Sequence, residues 1–247
     1  FFFLVVMLVL GIGARTAHNL YGSTWITAFT LFGSAVLMSG AVIRHDIGLA
    51  LAVAASMWLW SEAIKREQGW LHLLAGVMSG LGLFAHYHAI LMGPALLIGL
   101  YAPRVVAAKR LERGTLLYIA GGLIGVLVVV IFQIIPEWEA FISTREVRSP
   151  LSLVGYVDAF FGHLGNIAAL SKFEFCLVLA GLGVALWRRT MLDISLALIF
   201  GLFHLGLPVL AADVLAPQYL VPLSVPYALL SAGVFRGSHG WKWIGAM

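Results

Sequence analysis

The chain has 247 residues, of which 62% are hydrophobic and 11% are Asp, Glu, Lys or Arg, and its mean hydropathy is +1.00. An ordinary soluble domain carries about 25% charged residues and could not hide this much apolar surface. The composition therefore excludes a soluble globular protein, a disordered chain and a disulfide scaffold. The net charge of +4 comes from basic residues in short loops, which membrane topology explains without a nucleic-acid partner.

Apolar segments recur along the whole chain and predict an all-α, polytopic transmembrane helical bundle. Nine such segments cover residues 1–14, 24–43, 47–64, 70–85, 89–101, 115–135, 173–187, 191–211 and 217–235. We expect residues 1–247 to form a single transmembrane domain in a plasma or inner membrane. Because the chain opens at Phe1 inside a short apolar run with no charged region before it, we expect a fragment of a longer protein.

The fourth and fifth segments are separated only by His86-Tyr87-His88. This arrangement is typical of either a tight helical hairpin or a re-entrant pair. Glycines in Gly76-Val77-Met78-Ser79-Gly80 and Gly121-Gly122-Leu123-Ile124-Gly125 have the small-xxx-small spacing of close helix contacts.

Lys and Arg are distributed unequally between the two sides that nine crossings define. One side carries 11 of these residues and the other carries 4. A basic excess in short loops marks the cytoplasmic side. The sequence therefore predicts a cytoplasmic C-terminus.

The long loop at residues 136–172 is predicted to be external and to contain an interfacial helix. Ser149-Pro150 is a helix-start signal. Apolar residues then repeat at helical spacing, namely Leu153, Val154, Val157, Phe160, Phe161, Leu164, Ile167 and Ala168. We expect an amphipathic helix that either lies at the membrane surface or packs as a cap on the bundle.

Polar clusters lie at three predicted outer ends of spans: Arg44-His45-Asp46, His86-Tyr87-His88, and Asp213 with Gln218-Tyr219. Ionisable groups at membrane depth are energetically costly. Each cluster is therefore either an anchor at the membrane interface, where the cost is lower, or part of a functional polar site. A metal site would need a third ligand beside His86 and His88, such as Asp46. The i,i+2 spacing suits a kink better, so we expect no metal and no cofactor.

The order of these motifs resembles the membrane region of GT-C glycosyltransferases of the protein O-mannosyltransferase and aminoarabinose transferase type. The similar segments are Arg15-Thr16-Ala17-His18-Asn19-Leu20-Tyr21-Gly22, Arg44-His45-Asp46, Trp70-Leu71-His72-Leu73-Leu74-Ala75-Gly76, Gly82-Leu83-Phe84-Ala85-His86-Tyr87-His88 followed by Pro94, and Gln218-Tyr219-Leu220-Val221-Pro222. In the last segment the family carries Arg where this chain has Gln218.

The resemblance implies transfer of a sugar from a polyprenyl-phosphate donor to an acceptor on the external face. The family's catalytic acid lies in its first external loop, so we expect that acid upstream of Phe1. Arg44, His86 and His88 would steady the departing lipid phosphate, and Asp46 would orient Arg44 or position the acceptor. His45, Tyr87, Gln218 and Tyr219 complete the implied substrate-binding set. The implied partners are the lipid-linked donor and membrane lipids, with room for membrane protein partners.

Two other functions remain open. A non-catalytic membrane subunit with a transferase-like bundle is favoured by Gln218 and by the missing acid loop. A transporter or flippase is favoured by proline-broken segments with polar groups near the breaks, although the two halves of the chain show no repeat.

Overall fold

The computed structural model describes residues 2–39, 46–86, 88–139, 152–170, 172–210 and 221–235. All regular structure in these ranges is helical, as predicted. The helices are α1 (Phe2–Tyr21), α2 (Thr24–Ser39), α3 (Asp46–Arg66), α4 (Gly69–Ala85), α5 (Ala89–Ala108), α6 (Arg113–Val129, continued by a π-helical turn, Val130–Ile134), α7 (Leu153–Leu170), α8 (Lys172–Arg188), α9 (Met191–Leu210) and α10 (Ser224–Gly233).

Five of the described helices are long and apolar enough to cross a bilayer. These stretches are Leu4–Tyr21, Ile47–Arg66, Ala89–Ala108, Arg113–Ile134 and Met191–Pro208. A polytopic helical membrane protein is therefore confirmed, whereas the number of nine crossings stays a prediction.

Two helices extend beyond the apolar segments that predicted them. We placed the end of the first segment at residue 14, but α1 continues to Tyr21 and ends at Gly22, whose φ is +65°. The fifth segment was placed to residue 101, yet α5 continues through Pro103 to a left-handed Lys109. The added residues are mostly polar in α1, whereas in α5 only Arg104 is polar and it follows Pro103. Both helices continue until a residue with positive φ ends them, so the sequence pattern places the two ends too early.

The last helix is shorter than predicted. Residues 217–235 were expected to form one segment, but α10 covers Ser224–Gly233 and follows a 3₁₀ turn at residues 221–223. Pro222 lies in that turn and Pro226 lies in the first turn of α10, where the missing proline N–H is tolerated.

The predicted glycine contact joins α4 to α6. A Cβ added at Gly76 would collide with the carbonyl oxygen of Tyr118, and one at Gly121 would collide with that of Leu73. A Cβ at Gly80 of α4 would likewise collide with the backbone of α6, and one at Gly125 of α6 with the backbone of α4. The two backbones approach closely because these positions carry no side chain.

One end of the bundle, here called the basic end, collects Arg15, Lys65, Arg66, Arg104 and Arg188. Three contacts connect the helix ends there. Arg15 of α1 pairs with Glu62 of α3. The Tyr21 hydroxyl donates to the Leu229 carbonyl of α10 over 2.8 Å. Arg188 of α8 donates to the Gly233 carbonyl, also over 2.8 Å.

The opposite end, here called the histidine end, contains His86 and His88. The start of α3 lies there, because a Cβ at Gly48 would lie 2.8 Å from that of Ala85. The end of α9 lies there too, since a Cβ at Gly206 would lie 2.7 Å from Leu91 of α5. The bundle therefore has two polar ends separated by the length of its helices.

The predicted loop helix is present as α7, and it begins at a different cap. The expected cap, Ser149-Pro150, lies outside the described residues. The Ser152 hydroxyl accepts a bond from the Gly155 N–H over 3.1 Å and so caps α7. Leu153 is 80% exposed, Val154 70% and Phe161 64%, so much of the predicted apolar face does not pack on the bundle. The position of α7 at the membrane surface stays a prediction.

Substituting Gly121 with Ala should lower the melting temperature in detergent, because the new methyl group forces α4 and α6 apart. Overpacking of this kind costs about 1–3 kcal/mol, and each kcal/mol corresponds to about 2–4 °C in a chain of this size. Gly183→Ala is the matched control, since nothing lies within 4 Å of a Cβ there. Equal melting temperatures for the two variants would contradict the close contact.

Candidate functional site

The turn between α4 and α5 forms the described part of the predicted site. His86 ends α4 in an extended conformation (φ −161°, ψ 143°). Its Nδ1 accepts a bond from the His88 backbone N–H over 3.1 Å, and the two imidazole centroids are 4.2 Å apart. His88 is completely buried. The i,i+2 spacing therefore forms a compact kink, as the sequence indicated.

This turn joins two antiparallel helices, as a helical hairpin and a re-entrant pair both would, so the choice between the two stays a prediction. His72 near the start of α4 is hydrogen-bonded through Nδ1 to the Tyr101 hydroxyl of α5, with 2.8 Å between the two atoms. The helices therefore run antiparallel from the histidine end to the basic end. The chain reverses direction within His86-Tyr87-His88, which brings both histidines to one end of the bundle.

The structure brings part of the predicted substrate-binding set together. Asp46 is the first residue of α3, and Gly48 in the same first turn lies against Ala85, beside His86. The start of α3 and the histidine turn are thus neighbours. The side chain of Asp46 lies outside the described part of the structure, as do Arg44, His45, Tyr87, Gln218 and Tyr219. Their assignment to the site stays a prediction.

A second polar cluster, which the sequence analysis did not single out, surrounds Glu62 at the basic end. Glu62 is only 3% exposed. Its Oε1 accepts bonds from Asn19 Nδ2 at 2.8 Å and Arg15 Nε at 3.3 Å, and its Oε2 accepts one from Arg66 Nε at 2.6 Å. Asn19 also donates to the Ser61 hydroxyl at 3.1 Å. These bonds tie the last turns of α1 to those of α3.

The Glu62 cluster provides the buried carboxylate with hydrogen-bond and charge partners inside the protein. A buried carboxylate is tolerated only when charge partners and hydrogen bonds replace its hydration. Arg15 and Arg66 are 50% and 56% exposed at their side chains, so each guanidinium contacts Glu62 and also reaches the surroundings. Glu62 and Arg66 have i,i+4 spacing, which sequence reasoning could have found. Arg15 and Asn19 are too distant in sequence to give such a signal.

A third cluster joins α4, α5 and α6 at the same end. The Tyr101 and Tyr118 rings are 4.8 Å apart, and Tyr101 is also the partner of His72. Arg104 Nε lies 3.4 Å from Glu112 Oε2. These contacts bridge the ends of α4, α5 and α6.

The fold and its two polar ends define a polytopic, α-helical membrane protein. The sequence profile of the dolichyl-phosphate-mannose-protein mannosyltransferase family matches residues 1–135, and the chain belongs to this family. It is therefore a GT-C type protein, as the motif order predicted, and the family's activity is that of a membrane glycosyltransferase that uses lipid-linked sugar. No curated protein and no solved structure matches the chain significantly. The matched range contains both His86–His88 and the Glu62 cluster.

Replacing Glu62 with Gln should destabilise the bundle, because an amide cannot make charge-assisted bonds to two arginines. Hydrogen bonds to charged groups contribute about 1.5–3 kcal/mol each. We expect unfolding of the variant at a lower SDS fraction in mixed micelles. Glu67→Gln is the control, since Glu67 is an exposed acid in the adjacent turn. If the Glu62→Gln and Glu67→Gln variants unfold at the same SDS fraction, the Glu62 cluster does not stabilise the contact between α1 and α3.

Proposed function

We propose that this chain forms the membrane part of a glycosyltransferase that moves a sugar from a polyprenyl-phosphate donor to an acceptor on the external face. The observation that supports the proposal is the histidine turn. It lies beside the start of α3 and at the end of the bundle opposite the basic end. The half-buried imidazole of His86 could donate a hydrogen bond through Nε2 to a phosphate at the membrane surface, and the completely buried His88 ring packs against it.

The proposed reaction breaks the bond between the sugar C1 and the phosphate oxygen and forms a bond from C1 to the acceptor oxygen. Charge develops on the departing lipid phosphate, and His86 and Arg44 would stabilise it. The buried His88, whose backbone N–H is bonded to His86 Nδ1, would hold the His86 ring in position. The acceptor proton would pass to a carboxylate base, which the family resemblance puts in the first external loop. Asp46 would orient Arg44 or position the acceptor. Tyr87, His45, Gln218 and Tyr219 are proposed to contact the substrates.

The proposed orientation puts the basic end in the cytoplasm and the histidine end outside. Lys109, Arg110 and Arg113 join the other cations at the basic end, between α5 and α6. Such a concentration of short-loop cations is typical of the cytoplasmic side. The C-terminus, which follows α10 at the basic end, would then also be cytoplasmic.

Replacing His86 with Ala in the full-length protein should reduce sugar transfer by about 10²–10³-fold, the usual loss for one donor to a developing anion. Transfer would be measured in membranes with radiolabelled polyprenyl-phosphate mannose as the donor. His18→Ala is the matched control, because His18 is an exposed histidine at the other end of the bundle. Arg44→Ala should behave like the His86 variant.

Three results would contradict this assignment. If alanine at Arg44 and at His86 both leave transfer unchanged, the histidine end is not the donor site. If the wild-type protein moves the lipid-linked sugar across vesicles without forming a new glycosidic bond, it is a transporter. A wild-type protein that transfers nothing alone and only supports a separate active subunit would identify the scaffold alternative.

The orientation predicts opposite labelling of two engineered cysteines in a Cys176→Ser background. Glu137→Cys, beyond the end of α6, should react with a membrane-impermeant maleimide in intact cells. Lys109→Cys, at the end of α5, should react only after permeabilisation. Both native residues are exposed, so a difference in labelling would report only the side of the membrane on which each cysteine lies. The reverse pattern would invert the topology.

A further inference from the structure

A groove of about 380 Å³ runs between α5 and α9 at the basic end, away from the histidine turn. It is lined by Ala102, Pro103, Val106, Ala107, Arg189, Met191, Ile194 and Leu198. We propose that this groove holds an acyl chain of an anionic phospholipid, whose phosphate is bound by Arg189 together with Lys109 and Arg110.

The groove has the shape and surface that an acyl chain requires. Every lining residue except Arg189 is apolar. Val106 is 74% exposed and Met191 44%, so the groove is open along its side to the surrounding lipid. From Met191 to Leu198 the helix rises about 10 Å, which sets the depth that the chain could reach.

A close helix contact borders the deep part of the groove. A Cβ at Gly99 of α5 would lie 2.9 Å from the Ser195 carbonyl oxygen of α9 and would collide with Ile199. The two helices therefore touch one turn deeper than Pro103 and leave space between them towards the basic end. The space begins near the cations and ends among apolar side chains. A phospholipid has the same order, with a charged headgroup followed by an acyl chain.

One cation, Arg189, lines this groove, and two more follow its α5 wall closely in sequence. Arg189 Nε donates to the Leu186 carbonyl over 3.1 Å, which holds the guanidinium in the turn between α8 and α9. Lys109 caps α5 two residues after Ala107, the last lining residue of that helix, and Arg110 follows. All three side chains are exposed. Phosphate and arginine are complementary in charge and geometry.

Two nearby acids are engaged elsewhere. Glu112 pairs with Arg104 at 3.4 Å. Asp193 is buried and accepts a bond from the Thr190 hydroxyl over 2.6 Å. Three exposed cations, Arg189, Lys109 and Arg110, outnumber the single buried carboxylate of Asp193, so the charge near the groove is positive and favours an anionic lipid over a zwitterionic one. A soluble phosphate would leave the apolar groove unused, so a lipid is the occupant that both features favour.

The test is native mass spectrometry of the full-length protein, titrated in detergent with phosphatidylglycerol or phosphatidylcholine of the same acyl chains. We expect one phosphatidylglycerol to be retained at concentrations where phosphatidylcholine is not. A surface cation contributes about fivefold to binding of an anionic lipid. Arg189→Gln should therefore weaken phosphatidylglycerol binding about fivefold, and the triple Lys109→Gln, Arg110→Gln, Arg189→Gln variant about 100-fold.

Matched controls separate this groove from general surface effects. Arg113→Gln removes a cation that begins α6 and does not line the groove, and it should bind phosphatidylglycerol as the wild type does. Leu198→Trp fills the groove and should reduce binding, whereas Leu123→Trp on the exposed face of α6 should not. Melting temperatures would show that each variant is folded.

Three results would overturn the proposal. Equal retention of the two phospholipids would show that charge does not select the lipid. Equal losses of phosphatidylglycerol binding in Arg189→Gln and Arg113→Gln would show that this groove is not the binding site. Preferential retention of a polyprenyl phosphate, lost in the Leu198→Trp variant, would identify a different occupant. Because the groove and the histidine turn lie at opposite ends, failure here would leave the proposed transfer reaction untouched.

Discussion

The packing of this bundle depends on the requirement that a charge buried among membrane helices finds its partners inside the protein. Glu62 imposes that requirement most strongly, because it is buried near the end of α3 and is held by Arg15, Asn19 and Arg66. These bonds set the depth of α1 against α3. Since α3 also packs along α4 at its other end, through Gly48 and Ala85, the same constraint contributes to the position of the histidine turn.

The remaining helices are held by shape more than by charge. Glycines on α4 and α6 let two backbones touch, and Gly99 brings α5 against α9. Apolar packing in a bilayer gains little from the hydrophobic effect, so such close contacts carry the association. The result is a bundle with two polar ends of different chemistry. One contains clustered cations and their bridging acids, and the other contains an imidazole pair beside the start of α3.

The sequence allowed prediction of the helical class, the order of the helices, the glycine contact and the histidine kink, because each depends on neighbours within one or two turns. Helix ends were less predictable. The mostly polar residues after residue 14 continue as helix until Gly22, and α5 continues past Pro103 and Arg104 until Lys109. Neither end is marked by a change in hydropathy. The Glu62 cluster was missed because Arg15 and Glu62 are 47 residues apart. The family was predicted from the order of short motifs, and the match over residues 1–135 confirms it. The roles of Arg44, Gln218 and Tyr219 stay predictions, since they lie outside the described residues.

The central claim is that the lipid-linked donor binds at the histidine end. The most direct measurement is photo-crosslinking of the full-length protein with a polyprenyl-phosphate sugar that carries a photoreactive group next to the phosphate, followed by peptide mapping. The account predicts labelled peptides around residues 44–48 and 86–91. Labelling confined to residues 102–110 and 188–194, at the basic end, would contradict it.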